Sequence, residues 1–412
     1  MNIKNVVKNS LCTGCGTCIS LCPNESLKLS TQKGSYIPKV ESTCLNCGIC
    51  YKTCPGHSID FKLLNLKIFN HNPQDYLIGN YSNIFVGHSK DKEIRFNSSS
   101  GGMITQFLIY ALENKIIDGA LVTKMKNDNP LEPEPFIARK KEEIIEASTS
   151  KYCPVPVNSI LKEILKSKGE KFAVVGLPCH IAGIRKAEEL NKNLKDKIIL
   201  HLGLFCAHTP NFKGTTDFLS ELDIENNQIK NIYYRGDGWP GLMSFNFKNG
   251  QKKTIDSIEG WQFISSIFYY PYRCLMCNDH TAELADISFG DAWHINNENN
   301  VGESILICRN QRIEETLEDM EKYNTITKSE SSTNDLKKSQ DYMLFKKKMI
   351  GARMKIFKFF GNKTPFYNRT FPISFKDYII AFSLYTEFLL IKHRMNGIIH
   401  LKHNLKEKIN RK

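Results

Sequence analysis

Eight cysteines fall between positions 12 and 54 in two runs of identical spacing, Cys12-x2-Cys15-x2-Cys18-x3-Cys22-Pro23 and Cys44-x2-Cys47-x2-Cys50-x3-Cys54-Pro55. No other feature limits the fold as much, because thiols this close in sequence must converge on common points. The chain has 412 residues and 14 cysteines, a share of about 3.4% against the roughly 8–10% of a disulfide-built domain. Clustering within a long chain reads as metal binding before it reads as disulfides. The opening MNIKNVVKNS has no apolar signal core. The longest apolar stretch, 378–391, spans 14 residues and contains Glu387, too short and too polar to cross a bilayer. A cytoplasmic, reducing location is therefore expected.

This spacing, closed by proline, is the one that holds [4Fe–4S] clusters in bacterial ferredoxins, where the fourth cysteine of each run serves the other cluster. Three thiolates spaced this way wrap one cube face, and the proline turns the chain to seat the fourth. On that rule Cys12, Cys15, Cys18 and Cys54 bind one cluster, and Cys44, Cys47, Cys50 and Cys22 the other. Gly14, Gly16 and Gly48 would let backbone amides approach the sulfides. Zinc is the competing reading, but zinc sites usually take CxxC pairs. Residues 1–65 thus resemble the dicluster bacterial-type ferredoxin domain. Such clusters pass single electrons, so the rest of the chain must supply what receives them.

Length suggests two or three domains. A composition of 41% hydrophobic and 24% charged residues excludes wholesale disorder. Residues 66–80 read as a linker with Asn and Pro. From about 80 to 330 the pattern is α/β, with short apolar strands at 84–87, 120–123, 172–176 and 198–205 and a helix at 103–113. Asn249-Gly250 between two such runs signals a hairpin. After about 330 the chain turns helical and basic. Residues 337–412 carry 18 Lys+Arg and 4 Asp+Glu, a net of +14, while the other 336 residues carry a net of −1. The overall charge of +13 therefore belongs to the tail and does not indicate a nucleic-acid-binding body.

Four further cysteines sit in the α/β part. Cys179 follows the 172–176 strand, Cys206 closes the next, and Cys274 and Cys277 form a CxxC. Cys179 and Cys206 would lie at one edge of a parallel sheet, where the CxxC would complete four thiolates. Buried structural cysteines, or a redox dithiol at Cys274/Cys277, remain alternatives. Cys153 and Cys308 read as packing residues. Ser98-Ser99-Ser100-Gly101-Gly102 precedes the 103–113 helix, and either receives a phosphate at the helix start or is an ordinary N-cap. Asp291 either orients a ligand or moves a proton, or it caps a turn. Arg235, in Tyr234-Arg235-Gly236-Asp237-Gly238-Trp239-Pro240-Gly241, either holds an anion or stiffens a surface loop. Neither GxGxxG nor GxxxxGK[ST] occurs, so a Rossmann or P-loop nucleotide site is unsupported.

The segments SSSGGMIT, SKYCP, VGLPCH, GLFC, YRGDGWPG, RCLMC and DISFGDAW, in this order, resemble the coenzyme F420 hydrogenase/dehydrogenase beta-subunit family over about residues 80–310. The resemblance implies an α+β and α/β architecture: a ferredoxin-like dicluster domain (1–65), a non-Rossmann flavin-binding core (80–330) and a basic helical extension (331–412). It implies that Ser99, Ser100, Gly101, Gly102 and Thr105 hold FAD phosphates and that Lys151 and Tyr152 contact flavin or substrate. It also implies that Cys179, Cys206, Cys274 and Cys277 ligate a third [4Fe–4S] cluster. His180 stands where many relatives have glutamine. Lys151, His180 and Asp291 are the candidate proton donors.

The expected function is an oxidoreductase that passes electrons between a low-potential carrier such as ferredoxin, iron–sulfur clusters, FAD and an organic two-electron substrate. Coenzyme F420 or a bacterial metabolite would be that substrate. A non-catalytic electron-transfer subunit is the alternative. A flavin suits this place because it exchanges one or two electrons. For the tail, with Lys346-Lys347-Lys348, Lys392, Arg394, Lys402 and the basic 406–412, three readings stand: peripheral contact with an anionic membrane, docking of an acidic redox partner, or a helical extension packed on the core. Self-association is left open.

Overall fold

The computed structural model describes residues 2–295 and 300–393. Near the N-terminus, strands Leu27–Gln32 and Ser35–Val40 form an antiparallel hairpin. Its turn, Lys33-Gly34, takes positive φ at both residues, the conformation that suits the twist of a two-residue hairpin. Short helices Thr17–Ser20 and Ile49–Lys52 surround the third position of each cysteine run, and each is preceded by a left-handed glycine, Gly16 or Gly48. These glycines serve a conformation that a side chain resists, beyond the close approach expected of them.

The centre is an eight-stranded mixed sheet in the order Ile326–Glu330, Asn83–Ser89, Ser304–Cys308, Ile287–Asp291, Ile198–Leu204, Phe172–Gly176, Gly119–Met125, Pro133–Ala138. The four strands from Ile287–Asp291 to Gly119–Met125 run parallel, and the flanking pairings are antiparallel. Both faces are covered. Phe107, Leu108, Ala111 and Leu317 pack on one side, and Leu161, Ile181, Ile184 and Leu194 on the other. Burial on both faces explains why these strands read as short continuous apolar runs. A three-stranded antiparallel sheet (Ile229–Tyr233, Leu242–Phe247, Lys252–Asp256) stands beside it, with the expected hairpin at Asn249-Gly250.

Three expectations need correction. Residues 66–69 are not linker: the helix Phe61–Phe69 runs through them, started by the Asp60 carboxylate, and Leu77 and Ile78 are buried in a core cluster. Cys206 lies two residues past its strand, which ends at Leu204. Lys346 and Lys347 are not part of a solvated basic face; both are buried. Lys347 pairs with the buried Glu283 carboxylate at 2.8 Å. Lys346 donates to the Cys206 carbonyl at 2.8 Å and also to the Ala207 carbonyl. Burying two ammonium groups is tolerable because each finds acceptors that replace water.

The extension includes helices Ile350–Phe359 and Phe375–Lys392, which pack on each other and, through Tyr272, on the short helix Tyr272–Leu275 that carries Cys274. Of the basic tail residues, Arg394, Lys402 and 406–412 lie outside the described residues. No described helix is long and apolar enough to cross a membrane.

Candidate functional site

All 14 cysteines are free thiols, and twelve of them fall into three sets. Cys22, Cys44, Cys47 and Cys50 line one small void, and Cys12, Cys15, Cys18 and Cys54 line a second. The grouping crosses the two runs as expected, because the prolines after Cys22 and Cys54 send each fourth thiol toward the opposite loop. The Gly14 amide donates to Cys12 Sγ at 3.4 Å. The first set is the outer one, with Cys47 exposed, while Cys15, Cys18 and Cys54 of the inner set are buried. Burial pushes the Cys54 thiol up to about 11 and those of Cys12 and Cys18 up further, with neighbouring thiols adding to the effect. Cys50 lies close enough to Cys18 to contribute, so the sets adjoin.

The third set assembles from distant sequence. Cys179 sits in the first turn of the helix Pro178–Glu188, directly after a parallel strand. Cys206 follows the neighbouring strand, and Cys274 and Cys277 arrive in and just after the short helix Tyr272–Leu275. Burial raises the Cys179, Cys206 and Cys274 pKa values, Cys206 to about 12, and neighbouring thiols of the set, Cys277 included, add to the effect. Cys15 of the inner set also acts on Cys179. Among the described residues no three His, Cys, Asp or Glu side chains draw close enough to share one ion; the thiols of the two N-terminal sets instead stand around small voids. Four cysteine sulfurs around a space suit a cubane, whose ligands attach to separate corners.

Residues without a sequence signal join the inner and core sets. Asn158 donates to Thr17 Oγ1 at 2.8 Å and to the His180 carbonyl at 2.9 Å, and its amide donates to the Cys15 carbonyl at 2.9 Å. Gly16 and Gly183 let the backbones meet: a Cβ on Gly16 would stand 2.6 Å from Ser159 N, and one on Gly183 2.4 Å from Thr17 Oγ1. Arg273, beside Cys274, donates to the Gly56 and Pro55 carbonyls at 2.6 and 3.1 Å. Lys186 donates to the Cys54 and Ser58 carbonyls at 2.8 and 2.6 Å, and burial pulls its pKa down to about 8.

Cys206 also lines a cavity of about 600 Å³, within the range of cofactor sites. The cavity opens at the carboxyl ends of the parallel strands, the usual ligand edge of such sheets. At one end lie Ser99, Ser100, Gly102 and Thr105, below the start of the helix Met103–Glu113. No side chain caps that helix, so its first amides are open to an anion. Gly101 does not line the cavity; its amide donates to Ser304 Oγ at 3.0 Å, and a Cβ there would strike the Gly87 carbonyl. At another part Tyr152, Trp261 and His208 present aromatic surface, with His208 stacked on Tyr270 at 3.6 Å.

The three candidate proton donors line this one cavity, with different electrostatics. Lys151 Nζ donates to the carbonyls of Ala147, Ser148 and Thr149 at 2.6, 2.6 and 3.0 Å, and burial pulls its pKa down to about 7. His180 accepts the Leu177 amide on Nδ1 at 3.1 Å, and burial lowers its pKa to about 4, so it is neutral at physiological pH. Asp291 is gripped by Arg235 through two contacts of 2.8 and 3.2 Å, and by Trp239 Nε1 at 3.1 Å. Arg235 is therefore committed to Asp291 rather than held free for an anion, and Asp291 is placed to orient its loop. Sequence reading missed His208. It is buried, and the Ser265 backbone is near, but no group meets hydrogen-bond geometry with either ring nitrogen. Its only signal was a histidine two residues after Cys206.

Residues 84–162 match the N-terminal part, and residues 169–333 the C-terminal part, of the family described as coenzyme F420 hydrogenase/dehydrogenase, beta subunit. The chain belongs to this family. Residues 11–62 match the 4Fe-4S dicluster domain, which makes it an iron–sulfur protein within a family of oxidoreductases. It is 30% identical to the coenzyme F420 hydrogenase subunit beta of Methanosarcina barkeri over 53% of this chain and 75% of that one. It is 28% identical to the coenzyme F420-dependent sulfite reductase of Methanocaldococcus jannaschii, over 76% of this chain but 46% of that protein. A chain from the F420-reducing [NiFe] hydrogenase complex of Methanosarcina barkeri superposes with a TM-score of 0.56 at 25% identity, covering 71% of this chain and 98% of that one. The family match and the mixed α/β fold agree with the resemblance read from the motifs.

Proposed function

We propose that this family member is an iron–sulfur flavoprotein that moves electrons between a low-potential one-electron carrier and an organic two-electron substrate, coenzyme F420 or a bacterial metabolite. The observation that carries the reading is the continuity of three four-thiol sets, outer to inner to core, with the core set ending at the cavity through Cys206. Each set would hold a [4Fe–4S] cluster and the cavity FAD. Clusters carry single electrons and a flavin one or two, which is the chemistry needed to join such partners. Residues 1–65 would be the relay, 80–330 the flavin core and 331–412 the extension.

The chain's own groups suit these roles. The uncapped amides at Met103 and the Ser99 hydroxyl, which accepts from Ser150 and keeps its own proton to donate, would take phosphate oxygens, while the Ser100 hydroxyl is given to the Glu303 carbonyl at 2.8 Å. Tyr152 and Trp261 supply faces for ring stacking. The His208 ring, stacked on Tyr270 at 3.6 Å, adds to this aromatic surface at the cavity wall. Lys151 holds positive charge at the cavity wall and, with a pKa near 7, can also hold or release a proton there.

Anaerobic purification is expected to yield a brown protein with about twelve iron atoms and one FAD per chain, four irons per thiol set. A colourless, flavin-free, zinc-containing chain would overturn the reading. The reduced protein is then offered F420, NAD(P)⁺ and oxidised ferredoxin. Because the hydrogenase relatives are named as subunits, a second reading is a relay within a larger complex; it predicts reduction of dyes by the isolated chain and turnover of no organic substrate.

A further inference from the structure

The helical extension carries a surface that the redox reading does not use. On the helix Phe375–Lys392, Phe375, Ile379 and Phe382 stand four and three residues apart and so share one face, and that face is exposed. Phe360 approaches Phe382 at 6.3 Å and Phe359 at 5.1 Å, which joins the end of the neighbouring helix to the stripe. Phe359 is 82% and Phe375 81% exposed, so these rings stand clear of the protein rather than bridge a groove. Lys355, Lys358, Lys363 and Lys376 are exposed or half-exposed on the same two helices and the loop between them. Among the described residues none of the four is in an ion pair. The nearby carboxylates are occupied: Asp377 accepts the Ser374 amide at 2.7 Å, and Glu387 is buried.

We propose that this face lies on an anionic lipid bilayer, with the phenylalanines among the acyl-chain boundary and the lysines at the headgroups. Five exposed apolar side chains in one patch exceed the scattered apolar residues of an ordinary surface. An apolar stripe rimmed by lysine is the pattern of helices that lie in a membrane interface without spanning it. Charge selects the occupant. A second copy would bring the same lysines. Residues 394–412 carry six Lys+Arg and one Glu and would repel the rim if folded back, but they add to attraction toward lipid phosphate. Rings that project singly suit a fluid interface; an acidic protein would need a matching cavity for each. Docking would also orient the redox core, since Tyr272, two residues from Cys274, packs on Phe357 and Phe388 of this helix pair at 5.7 and 5.4 Å. The proposal is independent of which cofactors are bound.

The test is flotation of the full chain with vesicles of phosphatidylcholine alone or mixed with phosphatidylglycerol. Binding is expected only with phosphatidylglycerol, falling at high salt. It should weaken at least tenfold in a Phe359→Ser/Phe375→Ser/Phe382→Ser variant whose near-ultraviolet circular dichroism is unchanged. A Lys355→Glu/Lys358→Glu variant, which leaves the rings in place, should weaken it as well. Equal binding by the serine variant, or none by the wild type, would overturn the proposal. So would binding that appears only after removal of residues 394–412, or a serine variant that loses an acidic redox protein while keeping the vesicles.

Discussion

The outer and core thiol sets use the same four side chains in opposite settings. The outer set is assembled from two short loops, has Cys47 at the surface and has no buried cation beside it among the described residues. The core set has four half-buried thiols and none at the surface, and Lys346 lies against it, favouring the charged form of Cys206 and Cys274 against the larger effect of burial. Arg273 adjoins it on the other side. A buried cation favours the more negative state of anything bound by these thiols, while exposure lets water do the same work diffusely. The contrast teaches that position along the relay is encoded less in the ligands than in what surrounds them. Surface thiols suit exchange with a mobile carrier, and half-buried ones suit delivery to a cavity.

The sharpest way to break this comparison is to remove ligands. Cys54→Ser and Cys12→Ser are expected to lose the same cluster, about four of roughly twelve irons, and Cys22→Ser to lose the one shared with Cys44. Iron analysis with electron paramagnetic resonance checks this, and identical spectra for Cys22→Ser and Cys12→Ser would refute the crossed grouping. Next in size is the joint between relay and core. Gly16→Ala places a Cβ 2.6 Å from Ser159 N at a left-handed φ and is expected to cost about 1–3 kcal/mol by denaturation and to slow reduction of the core signal by an external donor. For the cluster proposed at the core set, Lys346→Met should lower the potential by on the order of 59 mV, a tenfold change in a one-electron equilibrium, and leave the N-terminal signals unmoved; Lys346→Arg should restore most of it in a redox titration.

The smallest expected effect concerns a buried histidine in a central strand of the sheet. Burial and Arg185 press the His201 pKa down, yet Glu188 at 2.7 Å and Asp286 at 3.1 Å hold it above its ordinary 6.5. Its ion pairs therefore stabilise the fold fully below about pH 6.5, and that contribution is lost as pH rises through the higher folded value. Denaturation midpoints should fall over that window, and His201→Gln should flatten the slope while leaving all three cluster spectra unchanged.

Much of the relay was legible from spacing, because each run places its first three thiols within seven residues and the proline fixes where the fourth goes. Met103–Glu113 and Phe172–Gly176 were legible because apolar period and flanking glycines agree there. The joint was not. Asn158, Gly183 and Lys186 look ordinary in sequence, and only the packing of the turn Val157–Ile160 and the helix Pro178–Glu188 against the relay gives them partners. Arg235 and Asp291 were each read as open to a ligand; 56 residues apart, they satisfy each other.

Sequence alone determined the family, the paired thiol runs and the basic excess of the tail, since each rests on residues close together or simply counted. Only the tertiary structure decided that Cys179, Cys206, Cys274 and Cys277 come near one another, that Lys346 and Lys347 are buried while Phe359 and Phe375 are exposed, and that the His208 ring joins the cavity wall. Those outcomes depend on which surfaces the sheet brings together, and burial is a property of neighbours distant in the chain rather than of the residue itself.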